Sequence, residues 1–234
     1  MDVHGSPPAL ALGPTFYPSR VTVLLLIRHA VTDVTGKRLS GRTPGIHLSP
    51  EGRRQAEALA ERLSAVPIAA LYSSPLERCA ETAGVIGEGR GLTVQLLPQL
   101  EEVAYGRWTG RPLAQLTRTS LWTKIQQSPS SVRFPEGETL GEVQGRAVEA
   151  LDGVAGRHPR GVVAAVSHAD VIRLVLAHYA GVHLDLFQRL IVSPASVSAV
   201  ALGDRVPRIL RMNDTGTLDG MGAAPRRRAP KKGS

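Results

Sequence analysis

The sequence predicts an α/β protein, built as a three-layer α/β/α sandwich around a mainly parallel central sheet. Two short aliphatic runs, residues 21–27 and 161–166, have the length and β-branched content of strands covered on both faces. Segments with apolar residues at helical spacing follow these runs, and strands that alternate with helices are typical of parallel sheets. With 234 residues, 42% of them hydrophobic, the chain can bury one substantial core.

The first predicted strand and helix occupy the N-terminal third of the chain. Residues 21–27, VTVLLLI, are apolar throughout, so we expect this strand at the centre of the sheet. Residues 49–66 are predicted to be helical because Ser49 suits the N-cap and Pro50 the first turn. The apolar residues of this helix repeat at helical spacing: Ala56, Leu59, Ala60, Leu63 and Val66.

A second strand–helix pair follows directly. Residues 68–74 form the strand, and Pro75 both ends it and is expected to open the next helix. The side chains expected to point inward from that helix are Leu76, Ala80, Ala83 and Ile86. Residues 93–97 are predicted to be a third strand.

The second half of the chain starts with a segment of weak periodicity, residues 106–135, where Pro, Gly, Trp and Ser are scattered. We expect an irregular or helical cap there. Helices are predicted at 138–156 and 169–181, and further strands at 161–168, 196–202 and 206–212.

Composition divides the chain into one domain and two flanking segments. Residues 1–20 are expected to be a flexible leader, 21–213 the domain, and 214–234 a basic disordered tail. The formal charge is +8, but residues 225–234 carry five of the positive charges, so the rest of the chain has only +3. Nucleic acid is therefore an unlikely partner, because the basic character is mostly that of a tail.

Several protein classes are disfavoured. The single cysteine, Cys79, cannot form an internal disulfide, and the apolar runs are much shorter than the roughly 20 residues of a membrane span. We expect a cytoplasmic protein without membrane contact. The sequence also lacks a Walker loop, a Gly-x-Ser-x-Gly elbow and a dinucleotide fingerprint. The other histidines have no ligand spacing, so no metal and no cofactor are expected.

Polar side chains stand where four predicted strands end. They are Arg28 and His29 after the first strand, Arg78 after the second, Glu101 and Glu102 after the third, and His168 after the fourth. Ligands of open α/β sheets bind at the carboxyl ends of the strands, so we expect these groups to share one site.

This set of residue types suits phosphoryl transfer through a phosphohistidine. A neutral imidazole can attack phosphorus, and two guanidinium groups match the oxygens of a phosphate. A second histidine can donate to a phosphoryl oxygen as charge develops. A carboxyl group can protonate the departing alkoxide and then activate water.

Six segments of the chain resemble one known family, in its order and spacing. They are LIRHAVTD, LSPEGRRQAEALAERL, LYSSPLERCAETA, LEEVAYGRWTG, FPEGETLGEVQGRA and VSHADVIRLVL. From about Val21 to Asn213 the sequence resembles the histidine phosphatase superfamily, also called phosphoglycerate mutase-like. Within it, the sequence is most similar to a subgroup that is labelled phosphomutase without established chemistry.

The resemblance implies roles for individual residues. His29 would be the phosphorylated nucleophile, with Arg28, Arg78 and His168 around the phosphate. Glu102 would be the proton donor, because the family's acid stands four residues before the glycine matched by Gly106; Glu101 is the less favoured neighbour. Further positions that match phosphate or substrate contacts are Thr35, Ser40, Gly41 and Ala169.

Two positions depart from the family pattern. Ala30 follows the first histidine and Ala169 the second, where the family usually has glycine. Each change adds one methyl group, which would be harmful only if the backbone there needs a positive φ. We expect both to be tolerated.

Three functions remain open. The first choice is a metal-independent hydrolase of phosphomonoesters, acting on a small phosphorylated metabolite. The second is a phosphoglycerate-type phosphomutase, although the interval from Glu102 to His168 is short and Leu113 stands where such enzymes have lysine. Basic residues that could replace that lysine are Arg111, Arg118, Lys124 and Arg133. The third is a non-catalytic module that binds phosphorylated ligands. Trp108 and Trp122 either pack the cap or line the pocket, and the oligomeric state stays open.

Overall fold

The computed structural model describes residues 21–203 and 206–216. Within these ranges, six strands form a single sheet in the order β3-β2-β4-β1-β5-β6. Their bounds are β1 Val21–Arg28, β2 Ile68–Ser73, β3 Val94–Leu96, β4 Val162–Ser167, β5 Val197–Gly203 and β6 Arg208–Asp214. The pairs β2·β3, β2·β4 and β1·β4 are parallel, while β5 runs antiparallel to both β1 and β6. The predicted mainly parallel α/β fold, with the first strand at its centre, is confirmed.

Six α-helices lie in the part of the chain that the structure describes. They are α1 Pro50–Arg62, α2 Glu77–Glu88, α3 Leu113–Leu116, α4 Ser120–Gln127, α5 Leu140–Arg157 and α6 Ala169–Ala180. The predicted cap of α1 is confirmed, since Ser49 Oγ accepts a hydrogen bond from the Gly52 amide at 3.0 Å. Helix α5 begins with a capping box between Thr139 and Glu142.

Strand β1 explains the three layers, because its side chains alternate between two buried faces. Leu24 and Leu26 join the apolar cluster under α5 and α6, whereas Leu25 and Ile27 join the cluster under α1 and α2. A strand covered on both sides must be apolar at every position, which is the pattern that predicted it. Helices α3 and α4 lie in the segment 106–135, over the α5 and α6 side of the sheet.

The prediction for α2 was partly wrong. The helix begins at Glu77, two residues after Pro75, so Leu76 precedes it and Ala80 is only half-buried. Its buried face contains Ala83 and Ile86, as predicted, together with Arg78, Cys79, Thr82 and Gly87. A pattern of apolar residues cannot predict a face that buries an arginine and a threonine.

The flanking segments are largely untested. The predicted leader, residues 1–20, and residues 217–234 of the predicted tail lie outside the described residues. Within the ranges that the structure describes, no helix has the length and apolar character needed to cross a bilayer.

Candidate active site

The two histidines lie at the carboxyl ends of neighbouring strands. Arg28 of β1 pairs in register with Ser167 of β4, so His29 and His168 each stand one residue beyond the paired ends. The His29 amide donates to the Ser167 carbonyl at 3.0 Å. The two imidazole rings are 5.3 Å apart between centroids and inclined at 64°. The sheet thus brings together two residues that are 139 positions apart in the sequence.

The His29 ring is held in one tautomer. Its Nδ1 lies 2.7 Å from the Ala30 carbonyl oxygen, which can only accept, so Nδ1 carries the proton and Nε2 keeps its lone pair. Burial, reinforced by the positive charge of Arg78, lowers the pKa of His29 to about 3. A neutral imidazole with a free Nε2 is the form that can act as a nucleophile.

The His168 ring is fully buried and is bonded at both nitrogens. Nε2 lies 2.9 Å from Ser74 Oγ, and Nδ1 lies 3.3 Å from Arg78 Nη2. Since a guanidinium can only donate, Nδ1 accepts and Nε2 carries the proton that Ser74 receives. Burial, reinforced by Arg78, lowers the pKa of His168 well below its ordinary value.

Two arginines supply positive charge that no described carboxylate neutralises through an ion pair. Arg78 is only 1% exposed, and its Nη2 donates to the Gly41 carbonyl at 2.7 Å. Arg28 donates from Nη1 to the Val192 carbonyl at 2.7 Å. The Nε of Arg28 and the Nη1 of Arg78 are buried without a protein partner. Buried donors in this state are rare in folded proteins, and guanidinium groups match phosphate oxygens, so the geometry suits an oxyanion.

The adjacent carboxylates, Glu101 and Glu102, have different environments. Glu101 forms an ion pair with Arg42 at 3.2 Å. Glu102 accepts from the Val103 amide at 3.0 Å, and burial together with the negative charge of Asp170 raises its pKa to about 7. Glu102 can therefore hold a proton near neutral pH.

The segment that carries Glu102 is fixed by side chains from distant parts of the chain. Glu138 accepts from the Ala104 amide at 2.8 Å and pairs with Arg42 at 3.0 Å and Arg146 at 2.9 Å. Both arginines donate to the Glu102 carbonyl. Gly106 follows with a φ of +54°, and a Cβ there would lie 1.9 Å from the Pro135 carbonyl oxygen, so only glycine fits.

The four predicted contact positions have different surroundings. Thr35 Oγ1 accepts from the Thr32 amide at 2.9 Å, the Ser40 carbonyl accepts from the Thr43 amide at 3.1 Å, and Gly41 binds Arg78 through its carbonyl. Ala169 is the first residue of α6, directly after His168. Contact of these residues with a phosphate stays a prediction.

The two alanines that replace family glycines fit their backbone. Neither Ala30 nor Ala169 is among the residues with positive φ, so the added methyl groups cause no backbone strain. Ala30 is fully buried and its amide donates to Thr82 Oγ1 at 3.2 Å. The expectation that both positions tolerate alanine agrees with this geometry.

Sequence reasoning missed several residues around this site. They are Ser74, which binds His168, the group Arg42, Glu138 and Arg146 around the Glu102 segment, and the linked residues Tyr105, Asp170 and Arg173. The Tyr105 hydroxyl donates to Asp170 at 2.7 Å, and Arg173 pairs with Asp170 at 3.0 Å. Asp170 and Arg173 could have been predicted to lie near the site, because they follow His168 within the first turns of one helix.

Comparison with known proteins agrees with this geometry. The chain is 32% identical over 197 residues to phosphoserine phosphatase 1 of Hydrogenobacter thermophilus, covering 82% of this chain and 92% of the relative. It is 31% identical over 182 residues to a Yersinia pestis protein named probable phosphoglycerate mutase GpmB, covering 75% of this chain and 82% of that protein.

Among solved structures, YhfR of Bacillus stearothermophilus superposes with a TM-score of 0.78 at 27% identity, covering 82% of this chain and 97% of that one. The sequence model of the histidine phosphatase superfamily (branch 1) matches residues 24–215, which include both histidines, both arginines and Glu102. The chain, with its two imidazoles at adjacent strand ends, therefore belongs to the histidine phosphatase superfamily.

Proposed function

We propose that this protein is a metal-independent phosphomonoester hydrolase that acts on a small phosphorylated metabolite through a phosphohistidine at His29. The observation that carries the proposal is the state of the His29 ring. Its Nδ1 is bonded to a carbonyl and its Nε2 is free, while the ring contacts His168 and feels the charges of Arg28 and Arg78, which have unpartnered donors. This arrangement has a nucleophile and an oxyanion site side by side.

The first step transfers the phosphoryl group. The Nε2 lone pair of His29 forms a bond to phosphorus while the bond from phosphorus to the ester oxygen breaks. Arg28 and Arg78 stabilise the charge on the phosphoryl oxygens. Glu102 gives its proton to the departing alkoxide, a role supported by its raised pKa of about 7 and by the absence of an ion pair to it among the described residues.

The second step returns the enzyme to its starting state. The Glu102 carboxylate takes a proton from water, the oxygen attacks phosphorus, and the bond from Nε2 to phosphorus breaks. Phosphate leaves and Glu102 is again protonated. Because two fixed guanidinium charges can neutralise the phosphoryl group, the proposal needs no divalent cation.

A phosphomutase is the second candidate, favoured by the relative named phosphoglycerate mutase. Such an enzyme needs cationic side chains that bind a second phosphate group. Of the four basic residues considered for that role, Arg111, Arg118 and Lys124 are exposed, and exposed Arg133 pairs with Glu142. Hydrolysis is therefore the better-supported choice, and the free Nε2 of His29 gives little support to a non-catalytic module.

Trapping the covalent intermediate tests the proposal. The wild-type protein is mixed with a ³²P-labelled phosphomonoester and the reaction is quenched rapidly. We expect acid-labile, base-stable radiolabel on the wild-type protein. We expect none on the His29→Ala variant, whose fold is checked by circular dichroism. Vanadate should inhibit phosphate release, and EDTA should leave it unchanged. Label that persists in His29→Ala, or full activity with saturating vanadate, would contradict the mechanism. Isomerisation of 3-phosphoglycerate with a bisphosphate primer, faster than phosphate release, would establish the mutase instead.

A further inference from the structure

A cavity of about 300 Å³ lies under helix α4, and Asp170, which follows His168 by two residues, is part of its lining. Its walls include Tyr105, Trp108, Trp122, Phe134 and Phe187. The whole chain has only two Trp, four Tyr and three Phe, so five of its nine aromatic residues line this one space. The volume is at the lower end of the range of about 300–1,000 Å³ that is usual for ligand pockets.

The aromatic rings pack mainly against one another. Trp108 and Trp122 are stacked, with centroids 6.3 Å apart and planes inclined at 23°, and Phe134 meets Trp108 edge to face at 5.8 Å. Trp122 is half-buried, so part of its surface is open. Aromatic walls of this kind favour a ligand with a flat or ring-shaped apolar body.

The lining of the cavity adjoins the proposed phosphate site, because the charge of Asp170, a lining residue, acts on both Arg28 and Glu102. Leu39 lines the cavity, and Gly41, two residues later, binds Arg78. Asp170 also lines it and is two residues after His168 in the chain. The charges of Asp170 and Arg173 both act on the Arg28 guanidinium. An ester whose phosphate lies at His29 therefore has its alcohol portion next to this cavity.

The charges that line the cavity cancel. Arg173 Nη1 and Asp170 Oδ1 are 3.0 Å apart, and Tyr105 donates to the other oxygen of the same carboxylate. Among the described lining residues no further cation is present to bind a carboxylate or a second phosphate. The Nε of Arg173 is buried without a protein partner, which leaves one donor for an uncharged acceptor such as a hydroxyl or ring oxygen.

We propose that this cavity binds the leaving group, and that the preferred substrates are phosphate esters of alcohols that carry an uncharged ring. The inference rests on the proposed hydrolase function and specifies its substrate class. It differs from the substrates in the names of the two sequence relatives described above, because phosphoserine and phosphoglycerate carry charged groups on a short chain. The cavity favours a ring over such groups by apolar contact and by the lack of an unpaired cation.

Esters with leaving alcohols of similar basicity test this preference. We expect kcat/KM for benzyl phosphate or glucose 6-phosphate to exceed that for phosphoserine and 3-phosphoglycerate by at least about tenfold. The first two esters distinguish an aromatic ring from a sugar ring. Equal or higher kcat/KM for phosphoserine or 3-phosphoglycerate would overturn the inference while leaving hydrolysis intact.

Trp122→Ala should lower the preference for the ring ester over phosphoserine by about tenfold, chiefly through KM. Leu121→Ala is the matched control, because Leu121 is on the same helix and packs against the core without lining the cavity. Equal loss of preference in both variants would mean that α4 has been disturbed as a whole, and would contradict a specific role for Trp122. Trp122→Phe should keep most of the preference.

Binding can be measured without turnover, since both tryptophans of the chain line the cavity. Benzylphosphonate should change the tryptophan fluorescence at saturation, whereas methylphosphonate, which reaches only the phosphate site, should not. A benzylphosphonate response in a protein that hydrolyses no ester would refute the proposed function and support the cavity. Identical responses to both phosphonates would refute the cavity.

Discussion

The histidine pair and the segment around Glu102 form one site but are held in different ways. His29 and His168 follow directly from paired strands, and hydrogen bonds to the Ala30 carbonyl and Ser74 orient their rings. Glu102 lies in a segment without regular structure, which Glu138 and two arginines connect to the rest of the fold. The position of the proposed nucleophile, His29, therefore depends on the sheet, and the position of the proposed acid, Glu102, depends on a network of side chains.

The largest expected loss of activity comes from replacing the proposed proton donor, Glu102. Glu102→Gln should lower kcat for an alkyl phosphate by about 10²- to 10⁴-fold, because the alkoxide then leaves unprotonated. The loss should be much smaller for 4-nitrophenyl phosphate, whose leaving group needs little protonation. Glu101→Gln is the matched control and should stay within a few-fold of wild type, since Glu101 is paired with Arg42. A larger loss in Glu101→Gln would transfer the role to that residue.

The two regions should also set opposite limbs of the pH profile. His29 must be neutral and its pKa is about 3, so kcat/KM should fall only as the pH drops through that value. Glu102 must be protonated and its pKa is about 7, so activity on an alkyl phosphate should fall as the pH rises through 7. Glu102→Gln should remove the alkaline limb and leave the acidic limb in place. An alkaline limb that persists in the variant would show that another group causes it.

The sequence predicted the positions of His29 and His168 at the strand ends far better than the side-chain network around Glu102. An aliphatic run followed by a polar residue indicates a strand end, so the amino-acid pattern by itself predicts that His29 and His168 lie together. Glu138 is 34 residues from the amide it binds at Ala104, and its partners Arg42 and Arg146 come from other segments. Local periodicity carries no information on such contacts, and it also failed for α2, where Arg78 is buried and bonded to the Gly41 carbonyl and to His168.

Ser74→Ala removes one hydrogen bond at the histidine pair, the bond between Ser74 and His168. It removes the acceptor of the His168 Nε2 proton, so the longer bond from Arg78 to Nδ1 remains and the ring is less firmly oriented. We expect kcat to fall by about tenfold or more. Ser198→Ala is the control, because Ser198 is equally buried and its hydroxyl accepts from the Asn213 amide instead of bonding a histidine. Steady-state kinetics of both variants, at matched thermal stability, would check this. Equal losses would mean that any buried serine matters, and would contradict an orienting role.

Glu138→Gln instead weakens the side-chain network that holds the segment around Glu102. Charged hydrogen bonds to Arg42 and Arg146 are weakened, and we expect the free energy of unfolding to drop by about 1.5–3 kcal/mol. Activity on alkyl phosphates should fall several-fold more than activity on 4-nitrophenyl phosphate, since the acid is misplaced while the nucleophile is not. Glu51→Gln, which disrupts an exposed pair with Arg54, should cost no more than about 1 kcal/mol. Urea unfolding and the ratio of the two activities measure both effects, and an unchanged ratio would contradict the positioning role.

The smallest effect is expected where the chain departs from the family pattern beside the nucleophile. Ala30→Gly removes a fully buried methyl group at a position whose φ is not positive, so the variant gains no relief of strain and loses about 0.5–1 kcal/mol of stability. The Ala30 carbonyl still accepts from His29 Nδ1, so kcat should stay within about twofold of wild type. Faster turnover, or higher stability, would mean that the methyl group strains the strand end and that the position needs glycine. Thermal unfolding and steady-state kinetics on one alkyl phosphate decide between these outcomes, because strain at Ala30 would lower stability and would also disturb the carbonyl that orients the His29 ring.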